Sequence, residues 1–423
     1  MTGAKTGEEW NSSLMRTETH SLRKNGSEDP MGPILSFDKS FLEMLSPEEV
    51  DELDLQFELF MTPILVSEIQ ADLKHPSPRQ GKLPEDLVKA LARKLVSNHG
   101  IIQMHFRSLG IGEITRQLQE PVAMNGQVVV DGSALNVLRS KDGHGIIYDG
   151  RQDWAMWNAW ANADFKEADA MLATRWREQT AMIDLDGITS EWKAFCDEYM
   201  QGARSIQDVI DRVDALIAQP DQQSNLLGMV YHFLEAPPAA QLRSSLLFAT
   251  GSLTDVRAWA PYATSIARLG IVFCCCLTLR FITWRPTNVL DLQYLFYAPF
   301  GMVFVSHDRL HKQLWPATTT GAEFVWGADL KADLKRHVAA RKAPSEARED
   351  GQPWKSYAEA FTPETSLIAR LHSKYLKPRT GETSGPTGDF ELLPEDVKRN
   401  FLEAIELIDE QDRLRGGKPG HRS

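Results

Sequence analysis

The 423-residue sequence predicts an α/β protein with a mostly parallel sheet, interrupted by a large, mostly helical insertion and followed by C-terminal helices. Two observations favour this fold class. Short apolar runs alternate with capped helices at residues 32–75 and again at 285–335. Between them, residues 76–284 show mainly helical periodicity. We therefore expect one discontinuous α/β domain from the two flanking ranges, with the helical insertion as a unit of its own.

The first α/β range opens with the apolar run Ile34–Phe37, which predicts a buried strand ending at Asp38. Ser46-Pro47 and Thr62-Pro63 each place a capping hydroxyl directly before a proline, which is the usual start of a helix. The apolar residues 59–61 between those two helices predict a second strand.

The predicted insertion contains clear helical periodicity at residues 83–106, 162–182 and 206–218. Asn125-Gly126, between short apolar runs in residues 122–130, predicts a β-hairpin. Several tryptophans favour core packing between helices, with base stacking as the alternative. They are Trp154, Trp157, Trp160 and Trp176.

The α/β pattern resumes at residue 285, where Thr287 predicts the start of a helix. Residues 302–306 are a continuous apolar run, which is typical of a parallel strand covered on both faces. Asp308 follows that strand, and residues 323–327 predict one more. Residues 336–423 are charged and predict a helical C-terminal extension with a flexible tail.

Charge and cysteine content narrow the possible functions. With 46 basic and 58 acidic residues the formal net charge is −12, which disfavours nucleic-acid binding through bulk charge but leaves room for a local basic groove. The chain has 4 cysteines, three of them adjacent, and we interpret them as buried, reduced thiols in a cytoplasmic protein.

Residues 1–31 are polar and predict a disordered tail. The apolar residues 269–281 are too short for a spanning helix, so no membrane partner is expected.

Four acids occupy positions that a purely structural domain would avoid. Asp38 and Asp308 follow buried strands, where open parallel sheets bind ligands. Glu68 and Asp291 lie within the apolar stripes of their helices, with no lysine or arginine nearby in sequence to neutralise them. Such acids are costly unless they are paired, hydrogen-bonded or bound to metal. The four therefore indicate a shared cation site, and their oxygen ligands favour Mg²⁺ or Mn²⁺.

The segments that carry these acids resemble the PIN domain in order and local context. They are ILSFDKSFL, TPILVSEIQADL and NVLDLQYLFYAPFGMVFVSHDRLHKQL. The matching acids are Asp38, Glu68, Asp291 and Asp308, with Ser306 as the hydroxyl before the last acid. The resemblance implies a PIN-like three-layer fold and hydrolysis of RNA, possibly of single-stranded DNA, with Mg²⁺ or Mn²⁺ held by these acids.

The supporting residues and partners are less closely determined. Ser306 is expected to bond a ligand carboxylate or the phosphate, and His311 to face the surface or the substrate. PIN-like domains often form homo-oligomers. The insertion is expected to cover the strand ends, with Arg175, Arg177 or Arg243 supplying phosphate contacts.

Two other functions remain open at the level of sequence. His307-Asp308-Arg309-Leu310-His311 is close to the H-E-x-x-H pattern of zinc peptidases, which requires one helix running through both histidines. Alternatively, an inactive PIN-like core presents the helical insertion to a protein partner. In that case the acids would splay apart or be neutralised by a basic side chain, and Lys39 is the first to consider.

Overall fold

The computed structural model describes most of the chain. The described residues are 32–75, 81, 83–96, 100–118, 120–130, 135–140, 143–148, 150–250, 255–342 and 361–376. The predicted N-terminal tail and the greater part of the predicted C-terminal extension lie outside these residues.

Within the described residues, seven strands form two sheets. They are β1 (Ile34–Phe37), β2 (Glu58–Met61), β3 (Ile101–Ile102), β4 (Leu135–Ser140), β5 (Gly143–Tyr148), β6 (Val303–Ser306) and β7 (Glu323–Trp326). Five of them form a parallel sheet in the order β3-β2-β1-β6-β7, and β4 and β5 form a separate antiparallel pair. The predicted α/β class with a parallel sheet is confirmed.

Helices make up most of the remaining described chain. Those of the first part are α1 (Lys39–Met44), α2 (Pro47–Gln56), α3 (Pro63–Ala71), α4 (Pro84–Leu95), α5 (Phe106–Ile114), α6 (Arg151–Ala161), α7 (Glu167–Ala181), α8 (Leu185–Tyr199) and α9 (Ile206–Ile217). Those of the second part are α10 (Gln223–Leu234), α11 (Pro238–Thr250), α12 (Val256–Trp259), α13 (Pro261–Thr278), α14 (Asn288–Leu295), α15 (Arg309–Leu314), α16 (Gly327–Lys342) and α17 (Leu367–Tyr375).

The parallel sheet has a topological switch point between β1 and β6. The chain builds outward from β1 through β2 to β3, then returns after the insertion to add β6 and β7 on the other side of β1. All four residues of β2 and of β6 are buried, and since successive side chains point to opposite faces, both faces of the sheet are covered there. In such sheets, ligands bind at the carboxyl ends of the strands beside the switch point.

Two sequence predictions within the insertion range are wrong. The helical pattern of residues 83–106 is broken, because α4 ends at Leu95 and Ile101–Ile102 pairs with β2 as the edge of the main sheet. Residues 122–130 contain no strand; Val129 bonds instead to the segment that follows β3, donating its N–H to the Gln103 side chain and accepting from the Met104 N–H. Gly126 still forms a bend, with φ +81°.

The helical part of the core is organised around α13. This helix is long and apolar enough to cross a membrane, but 83% of it is buried inside the fold, where α5, α8, α9 and α10 pack against it. All four cysteines are buried and free, as the sequence predicted. Trp157 and Trp160 are also buried and pack edge to face, with ring centroids 5.3 Å apart, so core packing is confirmed for this pair.

Candidate functional site

Asp38 lies at the carboxyl end of β1, directly beside the switch point. It is the N-cap of α1, so its Oδ1 accepts the backbone N–H of Phe41 at 2.9 Å. Its Oδ2 accepts the hydroxyls of Ser40 at 2.8 Å and of Ser306 at 2.7 Å. Only 3% of Asp38 is exposed. Burial raises the pKa of this carboxyl, but the hydrogen bonds and the charge of His311 outweigh burial and leave it lowered, so Asp38 is ionised.

His311 supplies the positive charge that neutralises Asp38. It is fully buried on α15, and its Nδ1 lies 2.7 Å from Ser306 Oγ and 3.3 Å from Asp38 Oδ2. Its Nε2 lies 2.7 Å from the Asp291 carbonyl oxygen, which can only accept, so Nε2 carries a proton. The Ser306 hydroxyl has one proton and donates it in the hydrogen bond to Asp38. It can therefore only accept from His311, so Nδ1 must carry a proton as well.

The hydrogen-bond pattern therefore makes His311 an imidazolium. Burial alone lowers the pKa of His311, but the bond to Asp38 and the surrounding carboxylates raise it to about 9. The expectation that His311 faces the surface or a substrate is wrong, because its ring nitrogens bind residues on two other elements of the core. Lys39 was the first basic side chain expected to neutralise the acids, but the side chain that neutralises Asp38 is His311.

Asp291 and Asp308 complete the acidic group around this imidazolium. Asp308 follows β6 and caps α15, accepting the Leu310 N–H at 2.6 Å with Oδ1. The half-buried Asp291 carboxyl accepts no hydrogen bond from any residue that the structure describes. Burial raises the pKa of Asp291 to about 8, and three neighbouring carboxylates add to this effect against the charge of His311. These carboxylates belong to Glu68, Asp308 and Asp38.

Glu68 approaches the same group from α3. Its Oε2 accepts the hydroxyl of Tyr294 at 2.5 Å, and no described residue donates to its Oε1. Burial raises the pKa of Glu68, although Lys39 and Tyr294 act against this. Tyr294 was not predicted as a site residue, but it lies three positions after Asp291 and therefore on the same face of α14. That spacing was the available signal.

Lys39 does not enter the acidic group. Its Nζ donates to Asp72 Oδ2 at 2.6 Å and approaches the Glu68 carbonyl oxygen at 3.4 Å. Asp72 is 2% exposed and also accepts from Arg177 of α7 at 3.1 Å, so it joins the insertion to the α/β unit. Asp72 was missed because nothing in its local sequence distinguishes it from a surface acid.

The remaining predicted residues lie elsewhere or take other roles. Arg175 and Arg243 are exposed, on α7 and α11, and form no ion pair with described residues. His307 precedes α15 and packs against Trp326, so no helix runs through both His307 and His311. The arrangement of a zinc-peptidase helix is therefore not formed.

The fit of a divalent cation can be judged from the oxygens that remain. Asp291, Asp308 and Glu68 each keep at least one carboxylate oxygen to which no described residue donates, and hard oxygen donors suit Mg²⁺ and Mn²⁺. Asp38 has less capacity to bind a cation, since both of its carboxylate oxygens already accept hydrogen bonds from the protein. Among the described residues, no group of three or more acidic, histidine or cysteine side chains stands at metal-binding spacing. The donor chemistry fits, and closer approach of these carboxylates would be required.

No protein-family model, curated protein or solved structure matches this chain. Any function must therefore follow from the chemistry of the site itself.

Proposed function

We propose that this chain is a PIN-like, divalent-cation-dependent nuclease that hydrolyses phosphodiester bonds in RNA at the carboxyl ends of β1 and β6. The observation that carries the proposal is the Asp291 carboxyl, which stands among three other acids without a hydrogen-bond donor in the described chain. A half-buried carboxylate in such surroundings is unfavourable by itself and becomes favourable when a cation is shared between it and its neighbours.

The role of each residue would follow from the groups that it contacts. Asp291, Asp308 and Glu68 would hold the cation, which would lower the pKa of a water and offset charge on the leaving oxygen. Glu68 is also suited to orient the attacking water and accept its proton, because burial makes its carboxylate more basic. His311 cannot take that proton, since both of its nitrogens already donate within the protein. Asp38 and Ser306 hold the imidazolium in place.

The direct experiment is cleavage of end-labelled single-stranded RNA with Mn²⁺, with Mg²⁺ and with EDTA. We expect cleavage only with a divalent cation, and we expect Asp291→Asn and Asp308→Asn to lose at least a hundredfold in rate. Glu191→Gln is a matched control, because Glu191 is exposed on α8 and forms no hydrogen bond or ion pair with a described residue. Wild-type cleavage rates in both aspartate variants would refute the assignment and would indicate a contaminating nuclease.

A melting experiment tests the same site without a substrate. The unfolded chain ionises Asp291 near pH 3.8, whereas the fold disfavours its charge until about pH 8, so this carboxyl destabilises the metal-free protein at neutral pH. Asp291→Asn removes that cost and should melt a few degrees above wild type in EDTA. Saturating Mn²⁺ should stabilise the wild type, by about 2.7 kcal/mol at a free ion concentration 100 times the dissociation constant, and should stabilise the variant much less. An unchanged wild-type melting curve at millimolar Mn²⁺ would count against a cation site.

A second candidate function is a non-enzymatic interaction module. It is favoured by His311, which neutralises Asp38 as a basic side chain would in an inactive core. It is also favoured by Leu242 and Leu246, which are 64% and 57% exposed on one face of α11 in the insertion. Failure of both experiments above would select this function.

A further inference from the structure

A second cluster of side chains borders the acidic group at the carboxyl ends of β6 and β7. It consists of Trp326, His307 and Lys312, which we call the Trp326 cluster. The His307 ring lies over Trp326 with centroids 4.6 Å apart and a 40° tilt. The Lys312 Nζ lies 5.3 Å from the centre of the Trp326 ring. The cluster therefore combines an aromatic face with two basic groups.

The β6–β7 register places this cluster beside the acids. Trp326 is the Cα partner of Ser306, so their Cα atoms are roughly 5 Å apart and their side chains leave the sheet on the same face. Ser306 bonds Asp38, and Asp308 follows two residues later. A nucleotide seated on Trp326 would thus lie about one strand spacing from the acidic group.

Gly327 allows the cluster to form. A Cβ at this position would lie 2.9 Å from the Phe41 ring and 3.4 Å from the His307 backbone nitrogen and Cβ. A larger residue would push the end of β7 away from His307. The absence of a Cβ at Gly327 therefore leaves room for Trp326 to lie against His307.

The basic groups of the cluster contact the Trp326 ring and are not neutralised by a carboxylate of the described chain. His307 and Lys312 are exposed and form no ion pair within the described chain. Most other long basic side chains near the sheet are paired, as Lys39 is with Asp72 and Arg341 with Glu52. In a chain of net charge −12, the unpaired Lys312 ammonium beside an aromatic ring forms a local basic surface of the kind that nucleic acids require.

The accessibility of Trp326 agrees with this role. The residue is only partly buried, and it borders an open cavity of about 320 Å³ that is lined by β7, α16 and α17 and not by His307 or Lys312. Part of the Trp326 side chain is therefore accessible to a ligand.

We propose that the Trp326 cluster is a nucleotide-binding subsite for single-stranded nucleic acid. An unpaired base stacks on the face of Trp326 that His307 leaves open, and Lys312 contacts the adjoining phosphate. A duplex cannot present a base face to Trp326, because its bases are already stacked on one another. The subsite deepens the proposed nuclease function, on which its biological meaning rests, by naming the substrate class.

The test is binding without catalysis. A fluorescently labelled single-stranded decanucleotide, as RNA and as DNA, is titrated with the full-length protein in EDTA, and its anisotropy is followed at several salt concentrations. We expect Trp326→Leu to weaken binding about tenfold, in line with roughly 1–3 kcal/mol for a stacked base. Trp326→Phe keeps an aromatic face and should bind within about threefold of wild type. Both variants are first checked for wild-type melting behaviour.

Charge is tested with a matched pair of lysines. Lys312→Ala should weaken binding and reduce the slope of log affinity against log salt by about 0.7, the value for one phosphate contact on a single strand. Lys193→Ala makes the same change in net charge at an exposed lysine of α8 and should alter neither quantity.

The outcomes separate the subsite from the nuclease. Wild-type affinity in Trp326→Leu, a duplex that binds as tightly as the single strand, or no wild-type binding at 50 mM salt and 100 µM protein would each overturn the subsite. If Trp326→Leu weakens binding but no cleavage occurs with Mn²⁺, the subsite stands and the nuclease function fails. If the wild type cleaves RNA and Trp326→Leu changes neither binding nor KM, the nuclease stands and the subsite fails.

Discussion

The charge of His311 is the central electrostatic feature of the site at the scale of single residues. A buried histidine is usually neutral, because burial disfavours the charged form. Here the ring donates from both nitrogens, and the charges of three carboxylates raise its pKa. The imidazolium and Asp38 therefore form a buried ion pair with Ser306 between them.

Removing one member of this pair should be strongly destabilising. His311→Gln leaves Asp38 ionised and buried, so the free energy of unfolding at pH 7 should fall by about 3–5 kcal/mol in urea denaturation. The pKa of His311 is raised, so its stabilisation is complete below pH 6.5 and is lost as the pH rises through about 9. The difference between wild type and variant should shrink over that interval.

A double variant supplies the control for this prediction. Asp38→Asn combined with His311→Gln removes both charges and should recover more than half of the loss. Additive losses in the double variant would contradict the ion pair.

The sequence predicted which acids belong to the site but not what neutralises them. Asp38 and Asp308 were recognisable because strand ends are visible in an apolar run, and Glu68 and Asp291 because they interrupt apolar stripes. The bond from Ser306 to Asp38 agrees with the expectation that this hydroxyl bonds a ligand carboxylate. The cation that neutralises Asp38 was not recognisable, since His311 lies far from it in sequence. Local patterns carry no information about such a contact.

At the scale of elements, α13 is capped from outside its own sequence. Its N-cap, Ala260, has no side-chain acceptor, and Glu113 of α5 takes that role. Glu113 accepts the N–H groups of Ala263 at 2.8 Å, of Tyr262 at 3.4 Å and of Val122 at 2.9 Å. The residue is fully buried, and burial raises the pKa of Glu113 to about 7 despite these donors.

This cap predicts a pH-dependent stability. Below pH 4.5 the Glu113 carboxyl is protonated in both the folded and the unfolded protein. Between pH 4.5 and about 7 it ionises only in the unfolded chain, so the free energy of unfolding of the wild type should fall by roughly 3 kcal/mol over this range. Glu113→Gln cannot titrate, so its stability relative to wild type should rise over the same interval. Urea denaturation between pH 4.5 and 7.5 measures the difference, with Glu191→Gln as the control. A constant difference between Glu113→Gln and wild type would show that Glu113 does not titrate there.

Helices and strands were predicted correctly where a local sequence signal specifies them. They were predicted wrongly where pairing with a distant part of the chain determines the structure. Ser46 and Thr62 cap α2 and α3 as expected, because a hydroxyl before a proline is a local signal. Ile101–Ile102 is too short to show alternation, and it becomes a strand only because β2 offers an edge. The hairpin at residues 122–130 failed for the same reason, since Val129 found other partners.

At the scale of the whole molecule, the insertion is tied to the α/β unit through Asp72. Arg177 of α7 donates to Asp72 and to the Ala71 carbonyl oxygen at 3.0 Å, while Lys39 holds the other carboxylate oxygen. Buried side chains of both parts also belong to one continuous hydrophobic cluster. The two parts therefore share a core.

Loss of Arg177 should loosen this junction selectively. Arg177→Ala should lower the free energy of unfolding by about 1–3 kcal/mol and increase amide hydrogen exchange in α3 and α7, while α9 stays protected. Arg175→Ala is the matched control, because Arg175 is exposed on the same helix. Equal exchange in the two variants would mean that the Asp72 bridge does not hold the insertion.

The position of β6 in the chain also sets when the site can exist during synthesis. Ser306 emerges 268 residues after Asp38, which at ribosomal rates of about 5–20 residues per second corresponds to a delay on the order of 10–50 s. Until then β1 lacks its neighbour on one side, and the Asp38 carboxylate has neither Ser306 nor His311. The nascent chain therefore cannot carry a complete site, and any activity that depends on these acids begins only after Ser306 and His311 have emerged from the ribosome.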